Sequence, residues 1–132
     1  MSAVLAVGIG LGVGIGAGLG AQLRYATERL HARSRVRRGL AAPTFPWATL
    51  VVNVVGSALL GAVAALVVRG DLDPGWQTVL GTGFAGGLTT FSTLSFDIVQ
   101  LARERQYGRA ALDAAANVVL GVTAAAVTYH LL

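Results

Sequence analysis

Long uncharged stretches alternate with short polar ones along this chain. Ser2 to Leu23 carries no charge, and neither does Pro46 to Val68. Trp76 to Ala102 holds one acid, Asp97, and Ala110 to Leu132 holds one, Asp113. Each stretch reaches the ~20 residues that a helix needs to cross a bilayer. Between them lie an arginine-rich run to Phe45, the short segment Arg69, Asp71 and Asp73, and a third polar group of Arg103, Glu104, Arg105 and Arg109. The pattern predicts an all-α membrane protein: one domain over residues 1–132 with four transmembrane helices at 2–23, 46–68, 76–102 and 110–132.

Within the spans, the small and polar residues are periodic. Glycine takes every second position from Gly8 to Gly20. On a helix this makes two ladders, Gly8/Gly12/Gly16/Gly20 and Gly10/Gly14/Gly18, and four-residue glycine spacing admits a close neighbour. Two ladders predict neighbours on both sides. The alternating glycines lack the strand and ribose-binding context of a dinucleotide loop. A signal peptide fits poorly, because there is no basic n-region and the apolar run exceeds ~15 residues. In the second span Thr49, Asn53, Ser57 and Gly61 share one face, and in the fourth Asp113, Asn117 and Gly121 do the same. Asn53 reads equally well as an interhelical hydrogen bond or as part of a hydrated, ion-lined face.

The third span is the unusual one. Gly81 to Asp97 contains four glycines, four threonines and two serines. That is a poor recipe for a lipid-facing helix, and the full span of 27 residues exceeds the ~20 needed to cross, which leaves room for a break. The break is expected between Gly86 and Ser92, where Gly-Gly is flexible and Thr-Thr is a weak helix former. Carbonyls freed by such a break need partners inside the protein, and cations are one source. Pro74-Gly75 reads as a turn and Trp76 as an interfacial anchor. Asp97 reads as an interfacial charge or a partner for Arg103, and Thr128, Tyr129 and His130 as an interfacial end.

Composition narrows the classes. The chain is 55% hydrophobic, with a mean hydropathy of +0.68. It has no Cys, which excludes disulfides, thiolate metal sites and a cysteine nucleophile. The net charge of +4 does not indicate nucleic acid, because the basic residues lie in the gaps between spans. There they set orientation: nine of the ten arginines fall in the first and third gaps, and Arg69 alone in the second. The positive-inside rule then places both termini outside a cell membrane that the chain crosses several times. No nucleophile, base and orienting acid converge, so an enzyme is not expected.

Three pieces of the chain resemble the Fluc/CrcB fluoride channel family. Gly18-Leu19-Gly20-Ala21-Gln22-Leu23-Arg24-Tyr25 is similar to the end of its first helix. Thr49-Leu50-Val51-Val52-Asn53-Val54-Val55-Gly56-Ser57 resembles its helix-two motif, and Gly86-Gly87-Leu88-Thr89-Thr90-Phe91-Ser92-Thr93 its helix-three signature. The resemblance implies a fluoride-specific channel that lets cytoplasmic fluoride leave passively. It implies an antiparallel dual-topology dimer with pores along the interface and a structural Na+ at the dimer centre. By motif position the Na+-binding backbone carbonyls are those of Gly86 and Thr89. The fluoride pore falls on Asn53, Phe91 and Thr49, with the hydroxyls of Thr90, Ser92 and Thr93. Arg24, Gly56, Ser57 and Gly87 take structural or interface places. Hydroxyls and the Asn53 amide are donors that can replace fluoride's hydration, and the edge of the Phe91 ring is weakly positive.

Two features depart from the family. Leu94 stands where a second phenylalanine is usual, and Asp113 and Asn117 stand where helix four carries a Tyr and then a Ser or Thr. A carboxylate on an anion path repels the anion, so the chain is expected to supply one incomplete pore wall. With the fixed charge bias, this points to a heterodimer with an inverted paralogue rather than with itself. Two other readings stay open: a proton-coupled exporter of the small multidrug resistance type, recruiting Asp113, and a structural subunit of a heterodimeric channel.

Overall fold

The computed structural model describes residues 2–39 and 44–132, and every regular element among them is helical. We number these α1 (Ala3–Arg37), α2 (Trp47–Val68), α3 (Pro74–Gln77), α4 (Gly86–Leu88), α5 (Phe91–Arg103) and α6 (Tyr107–Leu131), with a π-helical stretch, Thr78–Ala85, joining α3 to α4. Helices α1, α2 and α6 are long and apolar enough to cross a membrane.

Several boundaries differ from the sequence reading. Helix α1 runs on through most of the basic segment to Arg37, a length of 35 residues, where a loop was expected from Arg24. Ala, Leu, Gln, Glu and Arg dominate that segment and are all good helix formers. Arg35 and Arg37 also sit in the last turn, where the helix dipole favours cations. The helix stops at Gly39, which adopts φ +66° and donates its N–H to Val36 O at 3.0 Å. The rest of the expected loop, residues 40–43, lies outside the described residues. The third segment begins at Pro74 rather than Trp76, because Asp73 Oδ1 accepts from Gly75 N–H at 2.7 Å and Pro74 fits the first turn. The fourth begins at Tyr107, which takes Arg109 into the helix.

Packing contacts fix the directions of the helices. Along α1, a Cβ on Gly12 would meet Val79, one on Gly16 would meet Phe84 N, and one on Gly20 would meet Leu88 N; Arg24 then reaches Thr89 O. Numbers rise together, so α1 runs parallel to the stretch from α3 to α4. Asn53 bonds Asn117, Ser57 faces Gly121 and Gly61 faces Thr128, so α2 and α6 also run parallel. The end of α2 and the start of α6 are therefore at opposite ends of the bundle, and the chain between them returns along its length. Only one of the two glycine ladders is used inside the subunit. Gly12, Gly16 and Gly20 pack on the third segment, while nothing lies within 4 Å of a Cβ built on Gly8, Gly10, Gly14 or Gly18.

The solvent preference of the surface is inverted relative to a water-soluble protein. Val4, Leu11, Ile15, Leu19, Val51, Val118 and Val122 are exposed, whereas Thr49, Thr90, Asp113 and Asn117 are buried. Apolar side chains outside and hydrogen-bonded polar groups inside is the arrangement that lipid demands. The chain is a multi-pass membrane protein.

Candidate functional site

The site is built where the third segment loses its helical path. Thr89 (ψ 157°) and Thr90 (φ −151°, ψ 124°) are extended between α4 and α5. Extended residues inside a helix leave N–H and C=O groups without their usual partners, and each such group must be satisfied when water is excluded. Three side chains from other elements meet that demand. Asn53, on α2, accepts from Thr90 N–H at 2.8 Å through Oδ1 and donates to Thr90 O at 3.1 Å through Nδ2. Arg24, on α1, donates from Nη1 to Thr89 O at 3.0 Å. Asn117, on α6, accepts the second Asn53 amide proton at 2.8 Å.

Thr90 then caps α5. Its Oγ1 accepts from Thr93 N–H at 3.1 Å and donates to Thr93 Oγ1 at 3.0 Å, with Ser92 Oγ 3.2 Å away. Thr89 Oγ1 turns back to Ala85 O at 2.9 Å. The closeness of α2 to this turn depends on Gly56, where a Cβ would fall on the Thr89 methyl. The closeness of α1 depends on Gly87, where one would fall on Ala17. Ser57 lies one turn further along α2, against Gly121.

The outer side of the turn is open. Phe91 is 80% exposed and Ser92 is exposed beside it. Phe91 borders a groove of about 310 Å³ edged by Asn53, Thr89, Thr90, Leu94 and Asn117. The polar residues thus divide into two groups. Asn53, Thr89, Thr90, Phe91 and Asn117 share the groove, while Thr49 and Thr93 line a separate cavity of about 260 Å³ with Glu28, His31 and Asp97.

One expectation is corrected by these contacts. Asp97 pairs not with Arg103 but with Thr49: its Oδ2 accepts from Thr49 Oγ1 at 2.6 Å, half-buried between α2 and α5. The Thr128 Oγ1 bonds Ala58 O on α2 at 2.8 Å. The amide of Asn53 is also occupied: both of its protons are used within the subunit, on Thr90 O and Asn117 Oδ1. Asn117 in turn donates to Asp113 O and to Asp113 Oδ1, each at 3.0 Å. Sequence spacing placed these residues on two stripes, but nothing in it paired the stripes with each other or with Thr90.

The expected Na+ ligands can be tested against this geometry. Thr90 N–H, which would close a regular α-helical turn onto Gly86 O, goes to Asn53 instead, and Gly86 is on the exposed side. Thr89 O has accepted a guanidinium proton, which leaves one of its two lone pairs. Two carbonyls from one chain fall short of a cation's usual shell, so this donor set fits Na+ only when a second subunit supplies the rest.

A family model described as CrcB-like protein, Camphor Resistance (CrcB) matches residues 11–129. Among curated proteins, the chain is 47% identical over 90 residues to the fluoride-specific ion channel FluC 1 of Leifsonia xyli subsp. xyli, covering 68% of this chain and 66% of that protein. It is 42% identical over 89 residues to the fluoride-specific ion channel FluC of Photobacterium profundum, covering 67% and 70% respectively. To the protein of the same name from Novosphingobium aromaticivorans it is 42% identical over 100 residues, covering 74% and 79%. The match to the Leifsonia protein thus spans just under two thirds of that protein's length.

Proposed function

The chain belongs to the CrcB family, and on that membership and the geometry of the interrupted segment we propose that it is a subunit of a fluoride-specific channel for passive export. One observation carries the reading: the chain breaks at Thr89–Thr90, is held there by Asn53 and Arg24, and turns Phe91 and Ser92 outward beside an open groove. An 80%-exposed phenylalanine on a groove with amide and hydroxyl edges is half of an anion path. The ring edge of Phe91 and the rotating hydroxyl of Ser92 next to it supply weak donors, so fluoride is bound firmly enough to shed water and loosely enough to leave. Arg24 places a cation at the level of the break and lowers the energy of an anion there.

The other half of the path comes from a second subunit. The returning third segment makes four crossings the natural reading of the fold, with both termini outside the cell membrane. The arginine bias fixes that orientation, so the partner is an inverted paralogue in an antiparallel dimer rather than a second copy. A structural Na+ at the dimer centre would be held by the carbonyls of Gly86 and Thr89 with their counterparts across the interface. It would neutralise carbonyl dipoles that the break exposes.

The test is fluoride efflux from liposomes, followed with a fluoride electrode, with chloride as control. Efflux only when the inverted paralogue is co-expressed is the expected result. Fluoride loss with this chain alone overturns the obligate partner, and no fluoride loss in either case overturns the channel.

One observation favours a second reading. Both amide protons of Asn53 are committed inside the subunit, as a purely structural subunit would have them. Phe91→Ala separates the two, since fluoride flux is lost when this chain lines the path and unchanged when it only scaffolds its partner.

A further inference from the structure

The α2–α6 register pairs Asn53 with Asn117 and Ser57 with Gly121. One step further at the same spacing, it brings Thr49 beside Asp113. Asp113 is fully buried. Its Oδ1 accepts from Asn117 Nδ2 at 3.0 Å, but its Oδ2 is buried with no hydrogen-bond partner. The neighbouring donors are committed. The Thr49 hydroxyl proton goes to Asp97, both Asn117 amide protons go to Asp113 O and Oδ1, and both Asn53 amide protons go to Thr90 and Asn117.

The groups packed around Asp113 do not offset a charge there. Helix α5 presents a second acid, Asp97, bonded to the Thr49 hydroxyl. Helix α2 presents Thr49 and Asn53, neither of which titrates. From α1, Glu28, His31 and Arg35 line the cavity that Thr49 and Asp97 share. On α6 itself, Arg109 lies one turn earlier and donates to Gln106 Oε1 at 2.8 Å. A carboxylate buried in these surroundings neutralises rather than remaining as a lone charge.

We propose that Asp113 is a proton-binding site, occupied as a neutral carboxylic acid, and that its proton keeps the adjoining groove permissive for an anion. The proton sits on Oδ2, the one oxygen without a donor. It exchanges with water by way of Thr49, which the register brings beside Asp113 and which lines, with Asp97, the cavity of about 260 Å³. Asn117, which edges the groove, is bonded to Asp113 directly, so loss of the proton puts a full negative charge one residue away from the anion path. At an effective dielectric of ~20, repulsion from a full charge at that remove lowers the anion's occupancy about tenfold or more. The gating part of this inference rests on the fluoride-channel reading; the proton site does not.

The experiment uses the intact protein, with its paralogue where needed, in liposomes buffered equally on both sides from mildly acidic to mildly alkaline pH. Protein-free liposomes correct for diffusion of undissociated HF. Wild-type fluoride efflux is expected to fall about tenfold as pH rises, while Asp113→Asn stays high and flat. Infrared spectra give an independent readout: the carbonyl stretch of a neutral carboxylic acid is expected in the wild type and absent in Asp113→Asn. A pH-independent wild-type efflux, or a profile unchanged in Asp113→Asn, overturns the gating. Absence of the infrared band overturns the proton site. If no variant conducts fluoride at any pH but the band is present, the channel reading and the gating fail while the proton site stands.

Discussion

Replacing Asn53 with alanine removes the clamp on the interrupted segment, and its effect can be worked from the bonds. Three are lost: to Thr90 N–H at 2.8 Å, to Thr90 O at 3.1 Å and to Asn117 Oδ1 at 2.8 Å. Interhelical hydrogen bonds in membrane proteins average ~0.6 kcal/mol each, so pairwise losses alone give about 2 kcal/mol. The groups left behind raise that figure. Thr90 is buried, so its N–H and C=O lose their partner where water is excluded. Two orphaned buried groups at about 1–3 kcal/mol each bring the total to roughly 4–8 kcal/mol.

Asn117→Ala makes the matched comparison. It removes the bond across α2 and α6 and the two bonds to Asp113 but leaves both bonds to Thr90 in place, so about 2 kcal/mol is expected. The assay is unfolding of the purified protein in detergent by titration with a denaturing detergent, run on both variants. Asn53→Ala should shift the unfolding equilibrium at least about thirtyfold further than Asn117→Ala. Equal stabilities for the two variants would refute the clamp. Loss of fluoride flux from Asn53→Ala at wild-type stability would return the amide to the role of a direct fluoride donor.

Other outcomes follow from single contacts. Gly20→Ala puts a methyl on Phe84 O and Leu88 N and should separate α1 from the third segment, lowering the thermal unfolding midpoint in detergent; Gly18→Ala, with nothing within 4 Å, should leave it unchanged or raise it slightly. Thr49→Val takes the hydroxyl from Asp97 Oδ2, now 2.6 Å away, and should destabilise by about 1.5–3 kcal/mol in the same denaturing titration. The chain has no cysteine, so single substitutions report topology cleanly. An impermeant maleimide on intact cells should label Asp71→Cys and spare Glu104→Cys, and equal labelling of both would remove the fixed orientation.

Much of the helical pattern was legible because charge is excluded from apolar spans, but the same rule hid the end of α1. Arginines were read as loop because they set topology, yet positive-inside ordering says nothing about backbone conformation. The alanines, leucines and arginines from Ala21 onward carry the helix on to Arg37. The two glycine ladders have the same period, so sequence could not choose which one packs inside the subunit. The polar stripes on α2 and α6 were visible as four-residue spacings, but their pairing joins positions 64 apart and needs the fold. Asp97 is likewise bonded to a threonine 48 positions away, a pairing that no sequence spacing announces.

The point of interruption shows the same division. Glycine and threonine content marks residues 86–92 as a weak stretch without selecting a position within it. The selection comes from partner supply. Only at Thr90 do an N–H and a C=O both face the Asn53 amide, and only at Thr89 does a carbonyl come within reach of Arg24. A helix that breaks elsewhere in the stretch leaves those groups unpaired in a medium without water, at several kcal/mol each. Local weakness therefore permits a break, and α1 and α2 determine where it falls. Because α5 starts at the next residue, the same two side chains also set where Phe91 and Ser92 emerge beside the groove. Asn53 thus shapes the groove chiefly by holding the backbone from which the groove is built.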